Sequence, residues 1–265
     1  MRKLIVLIPY YNVPKDLVSS ITSIKESFLV DILLVDDGSE EKYDLRHIQE
    51  VYTNGSVYLL TLEQNQGIEK ALNAGLNWII SKNYEFIGRL DAGDLCLPDR
   101  FGKQLNFLEN NKEVSLVGTW VNMVNEQQEV QFVLKHPTSH HDITNKMYFN
   151  SCFVHPSVVF RVSVLPVVGL YPENRKAAED YAFFFKITKH FKVANMDEVL
   201  LNYVISPNSI SSLKRKQQIK SRLKVILDHF YFGFYPIVGL LRNSLLLMTS
   251  RGFIVGVNKL LTSFK

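Results

Sequence analysis

Cysteine is scarce in this sequence. Only Cys96 and Cys152 occur among 265 residues, and their spacing matches no metal-binding pair. Two cysteines are too few for a disulfide scaffold, so a reducing compartment is expected. The apolar run that follows Lys3 ends at Pro9, which is too short for the core of a signal peptide. We therefore expect a cytoplasmic protein.

A hydrophobic run long enough to cross a bilayer is also lacking. The best candidate, Phe230–Met248, is interrupted by Pro236 and Arg242, whereas a spanning helix needs about 20 predominantly apolar residues. The segment 213–265 nevertheless carries ten Lys or Arg and one acid, a net charge of +9, while the remainder has −5. A basic, apolar segment is typical of one that meets an anionic surface. We predict a basic amphipathic helical tail over 213–265 that associates with the inner face of the cell membrane.

The first helix expected in that tail has an apolar stripe. Its members recur at helical spacing and are Ile219, Leu223, Ile226, Leu227 and Phe230. Two placements are compatible with this pattern. The stripe either faces lipid or packs against the rest of the chain or a second copy.

The composition excludes a disordered or collagen-like chain, because hydrophobic residues make up 46% and charged residues 21%. Over residues 4–90, short β-branched runs alternate with segments of helical periodicity, which predicts an α/β fold with a mainly parallel sheet. The predicted strands are Leu4–Ile8, Ile32–Val35, Val57–Leu60 and Phe86–Leu90. The later pattern predicts helices from Pro98 to about Asn110 and over Glu179–His190, with extended segments near 115–121, 129–134 and 158–160.

Three of the four predicted strands end in a polar cluster. The clusters are Pro9-Tyr10-Tyr11-Asn12, Asp36-Asp37-Gly38-Ser39 and Asp91-Ala92-Gly93-Asp94. Such residues also form ordinary turns, but ligands of open parallel sheets bind at the carboxyl ends of strands. Neighbouring carboxylates repel each other unless a cation or hydrogen-bond donors compensate. Asp91 and Asp94 therefore indicate a site for Mg²⁺ or Mn²⁺.

Several ordered motifs resemble those of the family 2 glycosyltransferases with the GT-A fold. They are Ile8-Pro9-Tyr10-Tyr11-Asn12, Val35-Asp36-Asp37-Gly38-Ser39, Asn65-Gln66-Gly67, Asn73-Ala74-Gly75, Arg89-Leu90-Asp91-Ala92-Gly93-Asp94, Pro98-Asp99-Arg100, His155-Pro156-Ser157, Gly169-Leu170-Tyr171 and Glu179-Asp180-Tyr181. The resemblance covers about residues 3–211. It implies a Rossmann-like, mainly parallel sheet flanked by helices. The glycosyltransferase domain would span 1–212, with a nucleotide-sugar-binding half at 1–97 and an acceptor-binding half at 98–212.

The resemblance also implies roles for single residues of this chain. The donor-binding set is Pro9, Tyr11, Asp37, Gly67, Lys70 and Asp91, and Asp37 would accept a hydrogen bond from the base. Asp91 and Asp94 would hold Mn²⁺ or Mg²⁺ on the diphosphate. Asp180 would be the general base, since the start of a helix favours an ionised carboxylate. His155 and Glu179 would lie on the acceptor side.

Three positions depart from the commoner family pattern. Gly93 stands where a third acid is usual, so either Asp91 or Asp94 is the principal metal ligand. Leu72 stands where an Arg often precedes the Asn, and Lys70 would substitute as the phosphate contact. Ser206 occupies the place of a frequent His, so no histidine ligand is expected there.

The implied activity is an inverting glycosyltransferase. It would move a sugar from a nucleotide-diphosphate donor, first of all a UDP-sugar, to a hydroxyl of a glycan or lipid-linked glycan in bacterial surface polysaccharide synthesis. A sugar nucleotidyltransferase is one alternative, but it would carry a glycine-rich phosphate loop where this chain has Pro9-Tyr10-Tyr11-Asn12. An acidic-pocket binding or receiver module is the other, and it would place its acid pair after the first strand. No nucleic-acid-binding module is recognisable.

Overall fold

The computed structural model describes residues 3–42, 44–205 and 214–248. Its strands are β1 (Leu4–Tyr10), β2 (Asp31–Asp36), β3 (Val57–Thr61), β4 (Phe86–Arg89), β5 (Leu95–Cys96), β6 (Val114–Val124), β7 (Val130–Leu134), β8 (Val159–Arg161) and β9 (Lys192–Val204). Its helices are α1 (Pro14–Thr22), α2 (Leu45–Val51), α3 (Ile68–Ile80), α4 (Arg100–Asn110), α5 (His140–Lys146), α6 (Leu165–Val168), α7 (Glu179–His190), α8 (Arg215–Asp228) and α9 (Phe234–Met248).

The described strands form one sheet in the order β3-β2-β1-β4-β8-β6-β9-β5, and β7 pairs with β6. The first four strands are parallel, because α1, α2 and α3 cross over between them. Beyond β4 the sheet is mixed: β8 is antiparallel to β4 and β6, whereas β6 and β9 are parallel. The α/β prediction is confirmed, but the mainly parallel character holds only for the N-terminal half. In that half, the connection between consecutive strands carries the chain back along the sheet, so that each strand starts from the same edge.

The core has two layers, one on each face of the sheet. Alternate residues of β1 enter opposite layers, since successive side chains of a strand point to opposite faces. Ile5 and Leu7 pack with α3 and α7. Leu4 and Val6 pack with α1 and α4. This double coverage explains why β1 and β2 read as continuous apolar runs.

In the C-terminal part, the apolar stripe of α8 does not face outward as the membrane prediction requires. Ile219 and Ile226 of α8 are buried, and α8 packs against α7. The Arg175–Asp228 ion pair at 2.6 Å and a stacked Phe185–His229 pair with centroids 4.7 Å apart hold this end. A lipid-facing role for Ile219 and Ile226 is therefore wrong, because burial against the body already removes them from water. Residues 249–265 of the predicted tail lie outside the described residues.

The exposed apolar surface of the C-terminal part lies on α9 instead. One face of this helix is exposed along its length and comprises Phe234, Ile237, Leu241, Leu245 and Met248. We call this set the α9 stripe. The opposite face, with Pro236, Gly239 and Asn243, is buried. No helix among the described residues is long and apolar enough to span a membrane.

Candidate active site

A cleft of about 450 Å³ opens at the carboxyl ends of β1, β2 and β4. Five residues singled out from the sequence line it, namely Pro9, Tyr11, Asp37, Gly67 and Asp91. Lys176 and Ala177, just before α7, line the other side. Lys70 is exposed on α3 and is not among the lining residues, whereas its neighbour Glu69 is.

Asp37 is held rigidly at one end of the cleft. Its side chain is buried, and its two carboxylate oxygens accept backbone N–H groups of Gln66 at 2.8 Å and Gly67 at 2.9 Å. Each oxygen keeps a second lone pair for a ligand. The hydrogen bonds therefore tie the end of β2 to the loop before α3 and orient the carboxylate.

Gly38 permits this arrangement. Its φ of +74° lies in the left-handed region, and a Cβ atom there would come within 2.6 Å of the backbone nitrogen of Asn65. Only glycine combines that backbone angle with so close an approach. The Asp36-Asp37-Gly38-Ser39 turn is therefore shaped by the loop it touches.

Asp91 is anchored by a buried arginine that the sequence reasoning did not single out. Arg89 is fully buried and pairs with Asp91 at 2.5 Å, while its other donors reach the carbonyls of Leu7 and Leu90. The Asp91 side chain remains 37% exposed in the cleft. A charged residue inside an otherwise apolar strand was the sequence signal for Arg89, because a buried charge must be paired.

His155 extends the same network toward Tyr171, in the loop after α6. The Arg89 Nε donates to His155 Nε2 at 3.3 Å, and the Tyr171 hydroxyl lies 2.9 Å from that nitrogen. Burial, with the Arg89 charge, lowers the pKa of His155 to about 3, so the imidazole is neutral. Its contacts indicate a positioning role for His155 between Arg89 and Tyr171.

Asn73 and Arg100 join the two halves of the site. Asn73 exchanges two hydrogen bonds of 2.9 Å with the backbone of Tyr171. Arg100 is buried at the start of α4 and donates to the carbonyls of Arg89 at 2.8 Å and Pro156 at 2.7 Å. Both residues lie in motifs quoted above, and their contacts are structural. Asn73 fixes the loop that carries Tyr171, and Arg100 fixes the backbone beside Asp91 and His155.

Asp94 differs from Asp91 in its surroundings. It is buried, accepts the Val204 N–H at 2.9 Å, and is absent from the cleft lining. Burial, together with the Asp91 carboxylate, raises the pKa of Asp94 well above its usual range. Asp94 therefore secures the end of β9 behind the cleft surface.

The donor set around the cleft fits a hard cation that is shared with a ligand. No group of three or more His, Cys, Asp or Glu able to hold a metal occurs among residues 3–42, 44–205 and 214–248. Mg²⁺ sites, however, commonly use one or two carboxylates together with substrate phosphates. Asp91 offers an oxygen beyond the one bound to Arg89, with Asp94 behind it. These residues fit such a cation, with Asp91 the more accessible ligand.

Glu179 and Asp180 begin α7 on the other side of the cleft. Burial, then the Asp180 carboxylate, raises the pKa of Glu179 to about 8, and its Oε2 has no hydrogen-bond partner among the described residues. Burial also raises the pKa of Asp180, against the Tyr181 N–H, which donates at 2.6 Å, and the Arg222 charge. The helix-start argument for an ionised Asp180 is thus outweighed by burial.

A second, larger cavity of about 690 Å³ lies at the opposite edge of the sheet, near Lys3, Asp31 and Ser56. It contains none of the candidate residues. Because parallel sheets bind ligands at the carboxyl ends of their strands, the cleft at Asp37 and Asp91 is the better candidate site.

The fold is an α/β architecture of the GT-A-like type, and comparison with known proteins agrees. A family model described as Glycosyl transferase family 2 matches residues 5–166. The chain therefore belongs to glycosyl transferase family 2, and the family prediction is confirmed.

Two curated relatives are bacterial polysaccharide enzymes by name. The amylovoran biosynthesis glycosyltransferase AmsE of Erwinia amylovora is 30% identical, with 83% of each chain covered. The UDP-Gal:alpha-D-GlcNAc-diphosphoundecaprenol beta-1,3-galactosyltransferase of Escherichia coli is 29% identical, over 65% of this chain and 60% of its own. The chain spans only 32% of another relative, the bifunctional glycosyltransferase pgtA of Dictyostelium discoideum.

Solved structures share the fold at lower identity. S. aureus TarS 1-349 in complex with UDP-GlcNAc has a TM-score of 0.68 at 18% identity, over 91% of this chain and 72% of its own. The mannosyltransferase PcManGT of Pyrobaculum calidifontis, in complex with GDP-Man and Mn²⁺, has a TM-score of 0.62 at 15% identity, over 92% and 69%. At such low sequence identity, these matches establish only that the chain has a GT-A-like fold.

Proposed function

We propose that this chain transfers a sugar from a nucleotide-diphosphate donor, a UDP-sugar, to a hydroxyl group of a glycan. The observation that carries the proposal is the cleft itself, which joins a rigid buried carboxylate, Asp37, to an arginine-anchored, partly exposed one, Asp91. A donor lying along it would meet Asp37 with its nucleoside and Asp91 with its diphosphate. The UDP-GlcNAc and GDP-Man named for two fold neighbours support this class of donor.

Asp91 is the proposed principal ligand of Mn²⁺ or Mg²⁺, and Asp94 supports it from behind. When bound, the cation would neutralise charge that develops on the departing diphosphate. Pro9, Tyr11 and Gly67 shape the donor end of the cleft. Lys70 is retained only as a phosphate contact that would require its exposed side chain to reach over the cleft rim.

Asp180 is the proposed general base of a single in-line displacement with inversion. The acceptor hydroxyl must lose a proton as it attacks, and a positioned carboxylate can accept it. Asp180 is within electrostatic range of Asp91, whose charge contributes to the raised pKa of Asp180. Burial raises the pKa of the neighbouring Glu179 to about 8, so its carboxyl is mostly neutral at pH 7 and is proposed to donate a hydrogen bond on the acceptor side.

The proposed acceptor is a lipid-linked glycan of a bacterial surface polysaccharide, reached from the cytoplasmic face of the membrane. The diphosphoundecaprenol in the name of one relative supports the lipid linkage. Phe232, 94% exposed, continues the α9 stripe, and the segment 213–265 has a net charge of +9. This combination matches an anionic lipid surface, where each basic residue contributes about 1 kcal/mol.

The test is metal-dependent donor binding. We expect nucleoside diphosphate sugars to raise the melting temperature in the presence of Mn²⁺, because a ligand that binds only the native state stabilises it. Asp91→Asn is expected to abolish the Mn²⁺-dependent part of that shift and to lower transfer by at least about a hundredfold. Asp94→Asn is expected to reduce that shift less, and Glu113→Gln serves as a control that removes one exposed carboxylate absent from the cleft lining.

Two outcomes would count against the proposed function. Equal donor binding in EDTA and in Mn²⁺, with full transfer by Asp91→Asn, would remove the metal and Asp91 from the proposal. Formation of a nucleotide sugar and free diphosphate from a nucleoside triphosphate and a sugar phosphate, without sugar transfer, would favour the nucleotidyltransferase alternative.

A further inference from the structure

Two lysines from distant parts of the chain line the candidate donor cleft. Lys176 lies in the loop before α7, and Lys214 stands directly before α8. Among the described residues that line the cleft, they are the only cations, whereas the acids are Asp37, Glu69 and Asp91. No salt bridge or side-chain hydrogen bond joins either ammonium group to another described residue. Both groups are therefore available to an anionic ligand in the cleft.

The backbone that carries Lys176 is held in a fixed conformation. The next residue, Ala177, has a φ of +61°, which residues other than glycine rarely adopt. The Ala178 N–H donates to the carbonyl of Arg175 at 2.9 Å, and the Ser221 hydroxyl of α8 donates to the carbonyl of Lys176 at 2.9 Å. Strained backbone of this kind persists where its surroundings hold it in place. Helix α8 therefore helps to fix the wall of the cleft that carries Lys176.

The position of Lys214 is determined by the packing of α8. Its carbonyl accepts the Gln218 N–H at 2.9 Å, the first hydrogen bond of that helix. The neighbouring Arg215 donates to the carbonyl of Leu246 in α9 at 3.0 Å. Ile219, about one turn further along α8, is buried. The C-terminal helices thus place the backbone of Lys214 beside the cleft, although the cleft itself is built on the N-terminal strands.

The charges of the cleft favour a ligand with two anionic groups. Asp91 already has a partner, since it forms an ion pair with the buried Arg89. Lys176 and Lys214 have none among the described residues, and each ammonium group offers three hydrogen-bond donors. A nucleoside diphosphate sugar carries a negative charge on each of its two phosphates. Two separate point charges suit two phosphates, whereas a monophosphate would leave one lysine unmatched.

We propose that Lys176 and Lys214 bind the two phosphates of the donor and thereby select a nucleoside diphosphate over a nucleoside monophosphate. The segment that sequence analysis assigned to the membrane would then contribute one residue to the donor site. The two lysines would carry the phosphate contact that the resemblance assigned to Lys70, which does not line the cleft. This inference rests on the proposed function, because it takes the cleft to be the donor site.

The test is calorimetric binding of UDP, UMP and uridine to the full chain in the presence of Mn²⁺. Lys176→Gln and Lys214→Gln should each weaken UDP binding about tenfold, the loss expected for one hydrogen bond to a charged group. UMP binding should fall less, and uridine binding should not change, because uridine carries no phosphate. Lys176→Arg and Lys214→Arg keep the charge and should retain most of the UDP affinity.

A matched control is Lys216→Gln, which removes one positive charge from an exposed position of α8 that does not line the cleft. Its UDP affinity should stay within about twofold of that of the unchanged protein. An equal loss in Lys216→Gln would show a general effect of net charge and would overturn the proposal. An unchanged UDP affinity in either cleft variant, or an equal loss of uridine binding, would also overturn it.

The same measurements separate this inference from the proposed function. If the unchanged protein binds UDP, Asp91→Asn loses the Mn²⁺-dependent part of donor binding and the lysine variants bind UDP normally, only this inference fails. If the unchanged protein binds neither UDP nor a UDP-sugar, the proposed function fails and this inference fails with it. Melting temperatures without ligand show whether each variant is folded, and the arginine variants provide the same comparison if a glutamine variant is not.

Discussion

At the scale of single residues, the candidate site is a set of charged groups withdrawn from water and arranged by pairing. Arg89 fixes Asp91 and contacts His155, which in turn contacts Tyr171. Backbone N–H groups fix Asp37. Glu179 has no comparable partner, and burial keeps its carboxyl neutral at pH 7. The carboxyl groups of the site thus differ in their partners, and burial raises the pKa of Glu179, whose Oε2 has no hydrogen-bond partner among the described residues.

This difference predicts a pH-dependent effect of Glu179→Gln on stability. The folded-state pKa of Glu179, about 8, lies above its ordinary value of 4.5. Ionisation therefore opposes folding increasingly as pH rises from 4.5 to 8. Glutamine cannot ionise, so the free energy of unfolding of the variant should rise relative to the unchanged protein across that window, by on the order of a few kcal/mol. Urea unfolding at pH 5 and pH 8 measures the difference, and a difference independent of pH would contradict the assignment.

Asp180→Asn tests the neighbouring position by activity. If Asp180 accepts the acceptor proton, the variant should lose turnover by at least about a hundredfold while donor affinity stays nearly intact. Glu179 is already mostly neutral in the native protein at pH 7, so Glu179→Gln should retain far more turnover. Calorimetry with the donor and initial transfer rates provide the two readouts. Loss of donor binding in Asp180→Asn would make that residue part of the donor site.

At the scale of elements, turns and helix ends determine the cleft more than the regular segments do. The Gly38 turn touches the loop that carries Gln66 and Gly67, and these residues hold Asp37. Three of the four parallel strands, β1, β2 and β4, deliver a polar cluster to the same edge. The position of the donor end therefore depends on a backbone contact between two loops.

Gly38→Ala is expected to damage both stability and donor binding. The new methyl group would meet the backbone near Asn65, and the left-handed angle adds strain of about 1–2 kcal/mol. Gly169→Ala is the control for backbone strain without a clash, since its φ of +74° and ψ of −162° are strained for alanine but no atom lies within 4 Å of the new methyl group. Thermal unfolding should show a larger loss for Gly38→Ala, and donor binding should fall only in that variant. Equal losses would mean that the loop contact is unimportant.

At the scale of the whole molecule, the C-terminal helices link the catalytic body to an apolar surface. Helix α8 is buried against α7, and Gly239 of α9 approaches the backbone of Tyr148 closely. The α9 stripe remains uncovered by any described residue and follows the strongly basic start of the tail. Such an arrangement would orient the cleft relative to a membrane surface.

Vesicle co-sedimentation tests this arrangement. The full chain should bind anionic vesicles at low salt and release them as salt rises, because headgroup attraction is screened. Leu241→Gln combined with Leu245→Gln should reduce binding at least about tenfold, whereas Ser244→Gln, also exposed on α9, should not. The melting temperatures of the unchanged chain, the double variant and Ser244→Gln should be similar. Negligible binding by the unchanged chain would defeat the membrane proposal, as would binding by the double variant equal to that of the unchanged chain.

The sequence alone determined the family, the α/β order of the first half and the end of each parallel strand where polar residues collect. Those features depend on local periodicity and motif spacing, which the chain displays directly. Only the tertiary structure distinguished a partly exposed Asp91 from a buried Asp94, buried Ile219 and Ile226 of α8 while leaving the α9 stripe exposed, and paired the buried Arg89 with Asp91. These outcomes depend on desolvation and on contacts between residues far apart in the chain. Local spacing along the chain encodes neither the desolvation nor these contacts, because both depend on which elements pack together.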